Sequence, residues 1–142
     1  MKTKVTAVLF FISLISLAQN RNFNIIWGEP QVLQTNIEEV RVPGVSNMRF
    51  SYDHEDGFFV YSEWPSQAGD ISSAQLVNVK YESIDASQIY DLDSNLLPTE
   101  LKYELTSTRS RGRNRSFLKV YPIIKENGNL KRLVSFELIA DA

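Results

Sequence analysis

The 142-residue chain contains no cysteine and only one histidine, His54. Without cysteine the polypeptide has no disulfide staples, no thiolate metal sites and no cysteine nucleophile. A single imidazole excludes a metal cage built from several histidines. A strong charge of either sign is also missing: 15 basic residues face 17 acidic ones, for a formal charge of −2. A general nucleic-acid binder is usually basic overall, so no nucleic-acid partner is expected. There is no glycine-rich loop to cradle a phosphate, and no cofactor is implied. No internal repeat or low-complexity linker divides the chain, whose length suits one domain.

The one long apolar run stands at the start. Lys2 and Lys4 precede Val5 to Leu17, and the small residues Ser16 and Ala18 follow two apart. A basic leader, a short apolar stretch and a small-x-small site describe a secretory signal peptide over residues 1–18, cut between Ala18 and Gln19. The run is shorter than the roughly 20 residues that span a bilayer as a helix. Its removal would take two lysines and no acid, leaving 13 basic and 17 acidic residues, a charge of −4. The expectation is an exported protein of the periplasm or the outer-membrane cell surface. Residues 19–142 then form one β-rich module.

Period-2 alternation dominates that module. Leu101, Tyr103 and Leu105 alternate with Lys102, Glu104 and Thr106. Val77, Val79 and Tyr81 alternate with Asn78, Lys80 and Glu82, and Val134, Phe136 and Leu138 alternate with Ser135 and Glu137. A helix would scatter these side chains around its axis, so half-buried strands are predicted. Pro43-Gly44 suits a type II turn joining Glu38–Val42 to Met48–Tyr52. Asp56-Gly57 precedes a strand at Phe58–Tyr61, and Asn127-Gly128 predicts a hairpin between Ser116–Ile124 and Leu130–Ile139. Pro122, lacking an N–H, belongs on an edge or at a bulge. One short helical turn is predicted from Ser87 through Ile89, Tyr90 and Leu92 to Pro98. Pro65–Asp70 reads as a surface loop. The fold class is all-β, a mostly antiparallel sandwich or one curved sheet.

Four groups of side chains could carry chemistry. Asp53-His54-Glu55-Asp56 gathers three acids and the histidine beside Gly57, but consecutive turn residues diverge, and a solvated hairpin turn explains them. Asp91-x-Asp93-x-Asn95 opens like a calcium loop, then fails: Leu96 and Lys102 stand where the sharp-turn glycine and the bidentate acid belong. Arg109, Arg111, Arg113 and Arg115, with Lys119 and Lys125, lie in a stretch from Leu105 to Lys125 that holds no acid. On one regular strand the four guanidinium groups would share a face and repel. Gly112 and Asn114 instead suggest a flexible loop that splays them. Such a loop is solvated, pairs with the acidic turn, or meets an anionic partner, and its tip invites proteolytic nicking. Asn114-Arg115-Ser116 matches a glycosylation sequon at a frequency close to chance. Finally, Phe58, Phe59, Val60, Tyr61 and Trp64 put aromatic rings on both faces of one strand, as burial on both sides or a partner on the second face would require.

The order of segments is itself informative. A signal peptide is followed by Asn24-Ile25-Ile26-Trp27, then Val77-Asn78-Val79-Lys80-Tyr81-Glu82, then Leu92 to Leu105 around Leu97-Pro98. Arg113-Asn114-Arg115-Ser116 and Lys131-Arg132-Leu133-Val134-Ser135-Phe136 complete the series. This order resembles the N-terminal region of the type IX secretion system sortases (PorU) of Bacteroidetes, which are gingipain-like cysteine peptidases. The resemblance implies a prodomain-like module of an enzyme that removes C-terminal secretion signals from cargo and anchors cargo at the outer-membrane surface. The family's catalytic Cys–His pair belongs to a later peptidase domain, and neither member has a counterpart here. The module itself is therefore expected to be non-catalytic, with no catalytic residue, no metal and no cofactor. Its expected partners are a gingipain-like peptidase domain, downstream or in trans, other type IX secretion components and anionic lipopolysaccharide. A free-standing envelope module that grips anionic glycan or lipid through Arg109, Arg111, Arg113 and Arg115 is the rival expectation. An acid-pair hydrolase is the third.

Overall fold

A computed structural model describes residues 19–65 and 75–140. The signal peptide at 1–18 and most of the loop expected at 65–70 lie outside the described residues. Ten strands account for most of the rest: β1 (Gln19–Asn24), β2 (Trp27–Gln34), β3 (Glu39–Val45), β4 (Arg49–Asp53), β5 (Gly57–Pro65), β6 (Gln75–Ser83), β7 (Lys102–Ser110), β8 (Arg113–Tyr121), β9 (Ile123–Glu126) and β10 (Asn129–Ala140). The described fold is all-β and every pairing is antiparallel.

One four-stranded sheet runs β1-β10-β6, with β9 also on β10; the other runs β4-β5-β8-β7. β2 and β3 form a separate ribbon. A single hydrophobic core joins all three. Leu76, Leu133, Phe136 and Leu138 come from the first sheet, Phe58, Val60, Trp64, Leu118 and Val120 from the second, and Val40, Val42 and Val45 from the ribbon. Phe23 of β1 bridges the layers, stacked on Phe136 at 4.9 Å between centroids and tilted against Trp64 at 6.2 Å. Burial of such apolar side chains on period-2 faces, at about 25 cal/mol per Å², holds the sandwich together.

Asn127 and Gly128 adopt φ of 51° and 81°, which the tight β9–β10 turn demands and which Gly and Asn accept most readily. Pro122 sits between β8 and β9, where the chain leaves the second sheet for the first; its carbonyl accepts from the Leu133 N–H at 2.7 Å. The proline thus marks a change of sheet, so its missing N–H costs no ladder bond.

Three sequence expectations are corrected. Pro43-Gly44 is no turn: both residues lie inside β3, with Gly44 opposite Gly28. Glycine is needed there because a Cβ would stand 1.8 Å from the Glu29 carbonyl oxygen. β3 pairs with β2, a strand the sequence reading did not assign, across a turn in which Thr35 Oγ1 donates to the Glu38 carbonyl at 2.7 Å. In β10 a register irregularity between Leu133 and Ser135 turns Leu133 into the core and leaves Val134 half-buried. The helical turn is a 3-10 turn over Ala86–Ile89 that starts at Asp85, whose N–H donates to Gln88 Oε1 at 2.8 Å, and not at Ser87. A second 3-10 turn covers Ser94–Leu96.

Candidate functional site

The arginine segment is not a loop. β7 and β8 pair without interruption from Lys102↔Tyr121 to Ser110↔Arg113, so Arg111 and Gly112 alone make the turn. Their φ values, 53° and 76°, are those a two-residue turn of the primed kind requires. The turn separates the charges as a flexible loop was expected to, by a different device. Arg109 lies opposite Asn114, on the side that carries Leu105 and Leu118 lower down the hairpin. Arg113 and Arg115 take the other face, Arg111 the tip. Asn114 and Ser116 of the sequon are both strand residues, and Ser116 is fully buried.

Arg115 pairs with Glu63 of the neighbouring strand β5, Nε to Oε1 at 2.5 Å. Arg109, Arg111 and Arg113 are exposed, and none has a carboxylate within ion-pair distance among the described residues. The expected pairing of the basic segment with the acidic turn is made by Lys119, and by none of the arginines among the described residues. Asp56 is engaged by the Lys119 ammonium and the Tyr121 hydroxyl. Asp53 accepts from the N–H groups of Glu55 and Asp56, closing its own turn.

The Asp56, Lys119 and Tyr121 group occupies the outward face of the second sheet, at the end of β8 away from the arginines. Lys119 lies 4.1 Å from the Phe59 ring centroid, and Lys102 lies 4.4 Å from that of Tyr121. Phe59, Tyr61, Phe117 and Tyr121 chain together at centroid distances of 5.8 to 6.1 Å. None of these four packs against the central core; they form a second, outer aromatic layer. The aromatic residues on both faces of β5 are thereby placed: Phe58 and Trp64 inside beside Val60, Phe59 and Tyr61 outside. The hydrogen bonds from Lys119 and Tyr121 hold the Asp56 carboxyl below the usual carboxylate range. Burial opposes the charge on Lys119, but its bonds to Asp56 and Tyr121 outweigh this and raise its pKa. Burial, then the bond to Asp56, raises the Tyr121 phenol.

The remaining candidates serve the backbone. Asp91 Oδ2 accepts from the Arg41 N–H at 2.7 Å, and Asp93 Oδ1 caps the second 3-10 turn through the Asn95 N–H at 2.9 Å. His54 stands edge-on to Tyr52, with Nε2 4.0 Å from Glu38 Oε1. Sequence reasoning found the arginines but missed the Asp56–Lys119–Tyr121 group, whose members lie 63 and 65 residues apart in the chain. Only the order of strands in the sheet brings them together.

No protein-family model matches the sequence, and no curated protein matches it. Among solved structures, the chain is similar to one in the complex of Porphyromonas gingivalis RgpB pro- and mature domains. The TM-score is 0.53 at 10% identity, over 88% of this chain and 78% of the other. At that identity the likeness is one of fold alone.

Proposed function

We propose that this protein is a non-catalytic, prodomain-like module that binds a gingipain-like cysteine peptidase domain, downstream or in trans, and that it corresponds to the N-terminal region of a type IX secretion sortase. One observation carries the reading: the fold likeness to a chain from a complex of peptidase pro- and mature domains. The order of sequence segments supports the narrower assignment to the sortase. The signal-like residues 1–18 support export to the periplasm or the outer-membrane surface. The absence of any cysteine from the sequence supports a module that borrows its reactive groups from elsewhere.

Mixing the chain with the gingipain-like peptidase encoded nearest to it tests the reading. Saturable binding, with no peptide hydrolysis by the chain alone, is the expected result. Failure to bind, or peptide-bond cleavage by the chain that is abolished by changing one of its own side chains, would overturn it.

A second reading is favoured by the three arginines that lack an ion-pair partner among the described residues: a module holding anionic glycan or lipid, such as lipopolysaccharide. Its test is binding to lipopolysaccharide vesicles that is lost at about 1 M salt, where screening acts over about 3 Å.

A further inference from the structure

An exposed strand edge offers a row of unpaired N–H and C=O groups, and folded proteins blunt such edges by shortness, bulges, proline or cover. Most edges of this molecule follow that rule. β4 and β9 have five and four residues. β2 carries Pro30 and a register irregularity between Gly28 and Gln31. β3 is covered where Asp91 exchanges two bonds with Arg41, N–H to carbonyl at 2.9 Å and N–H to carboxylate at 2.7 Å. β9 is also covered, by the Pro98 carbonyl, which accepts from the Lys125 N–H at 2.9 Å. β6 is kinked at Asn78, where φ is 52° and its register with β10 slips.

β7 is the longest edge left open among the described residues, its charges confined to Lys102, Glu104 and Arg109 on either side of an uncharged run; β1, at six residues in unbroken register with β10, is the shorter open edge. β7 is nine residues long, pairs with β8 in unbroken register, and holds the uncharged run Leu105-Thr106-Ser107-Thr108 with neither proline nor bulge. The two-residue turn fixes which of its amides are free. Ser110 and Arg113 flank that turn and form the first hydrogen-bonded pair, so bonded pairs recur at every second residue along the ladder. Tyr103, Leu105, Ser107 and Arg109 then direct both N–H and C=O away from β8. Among the described residues no other backbone group or side chain bonds to these amides. At the end of this edge stand Arg109, Arg111 and Arg113.

Resting on the proposed association with a peptidase, we infer that β7 is the docking strand. An extended, acidic segment of the peptidase domain adds beside it as a fifth strand. Main-chain bonds to Tyr103, Leu105, Ser107 and Arg109 supply the affinity, and carboxylates facing the three arginines set direction and register.

Hydrogen exchange of the full chain, alone and with the gingipain-like peptidase, tests this. Protection is expected to rise at the amides of Tyr103, Leu105, Ser107 and Arg109. Ser107→Pro removes one outward N–H, leaves the β8 ladder intact and places a ring in the path of the incoming strand. It should weaken binding at least about tenfold while the melting temperature holds. Binding of unchanged strength by Ser107→Pro, with these four amides exchanging as in the free chain, overturns the inference and leaves the association standing. Absence of binding by the unaltered chain removes both.

Discussion

The two ends of the β7–β8 hairpin use charge in opposite ways. At the lower end Leu118 and Val120 are fully buried on one face. On the other face Lys119 is held by Asp56 and covered by the Phe59 ring. At the upper end the two strands and their turn carry Arg109, Arg111 and Arg113 into solvent, with no carboxylate in reach among the described residues. The hairpin's cations thus divide: Lys119 closes a polar group over the sheet, Lys102 lies over the Tyr121 ring and Arg115 pairs with Glu63, whereas Arg109, Arg111 and Arg113 have no ion-pair partner among the described residues. An exposed, unpaired charge adds almost nothing to stability, so the upper end is free to serve a partner while the lower end anchors the strands.

Substitutions should separate these ends sharply. Leu118→Ala, beneath the lower end, leaves a cavity between the sheets and should cost about 2–5 kcal/mol in urea unfolding. Ser107→Ala, on the same side of the hairpin toward the tip, should stay within about 0.5 kcal/mol. Equal losses at the two positions would mean that the tip is as tightly packed as the base.

A smaller effect is expected from the polar lock. Asp56→Ala strands the Lys119 ammonium and the Tyr121 hydroxyl, and should cost about 1–3 kcal/mol. Neutralising Arg115, whose partner Glu63 is more exposed, should cost less than about 1 kcal/mol. A double-mutant cycle between Asp56 and Lys119 checks whether the loss belongs to the pair.

The pH profile sharpens the same contrast. Asp56 is held below its ordinary range, so its stabilisation is present above about pH 4 and is lost as pH falls through its lowered folded value. Lys119 and Tyr121 are both raised, so their stabilisation is complete below about pH 10 and is lost as pH climbs through their folded values. Unfolding free energy measured across pH should therefore decline at both extremes, and Asp56→Asn should flatten both limbs.

The sequence announces what depends on neighbours in the chain. Leu101, Tyr103 and Leu105 alternate cleanly because β7 presents one face to the core and one to solvent. Asn127-Gly128 names its turn because few residue pairs accept two positive φ values. Pro43-Gly44 misleads because glycine serves two ends, positive φ and close approach; here the Glu29 carbonyl decides, from fifteen residues upstream. Val134 misleads because the bulge beside it depends on pairing with β6. β1 and β2 were hidden in a polar stretch interrupted by Pro30. For the arginines the sequence supplied the identity of the residues but not their arrangement, since a two-residue turn with arginine in its first place is an uncommon use of that side chain.

The division of labour within the hairpin has one direct test. The variant Arg109→Gln, Arg111→Asn, Arg113→Gln is compared with the unaltered chain for melting temperature and for affinity toward the gingipain-like peptidase, in the same low-salt buffer. The account predicts an unchanged melting temperature and an affinity at least about tenfold weaker, a loss of about 1.4 kcal/mol of binding. A variant that binds as tightly as the original, or that melts markedly earlier, would contradict it.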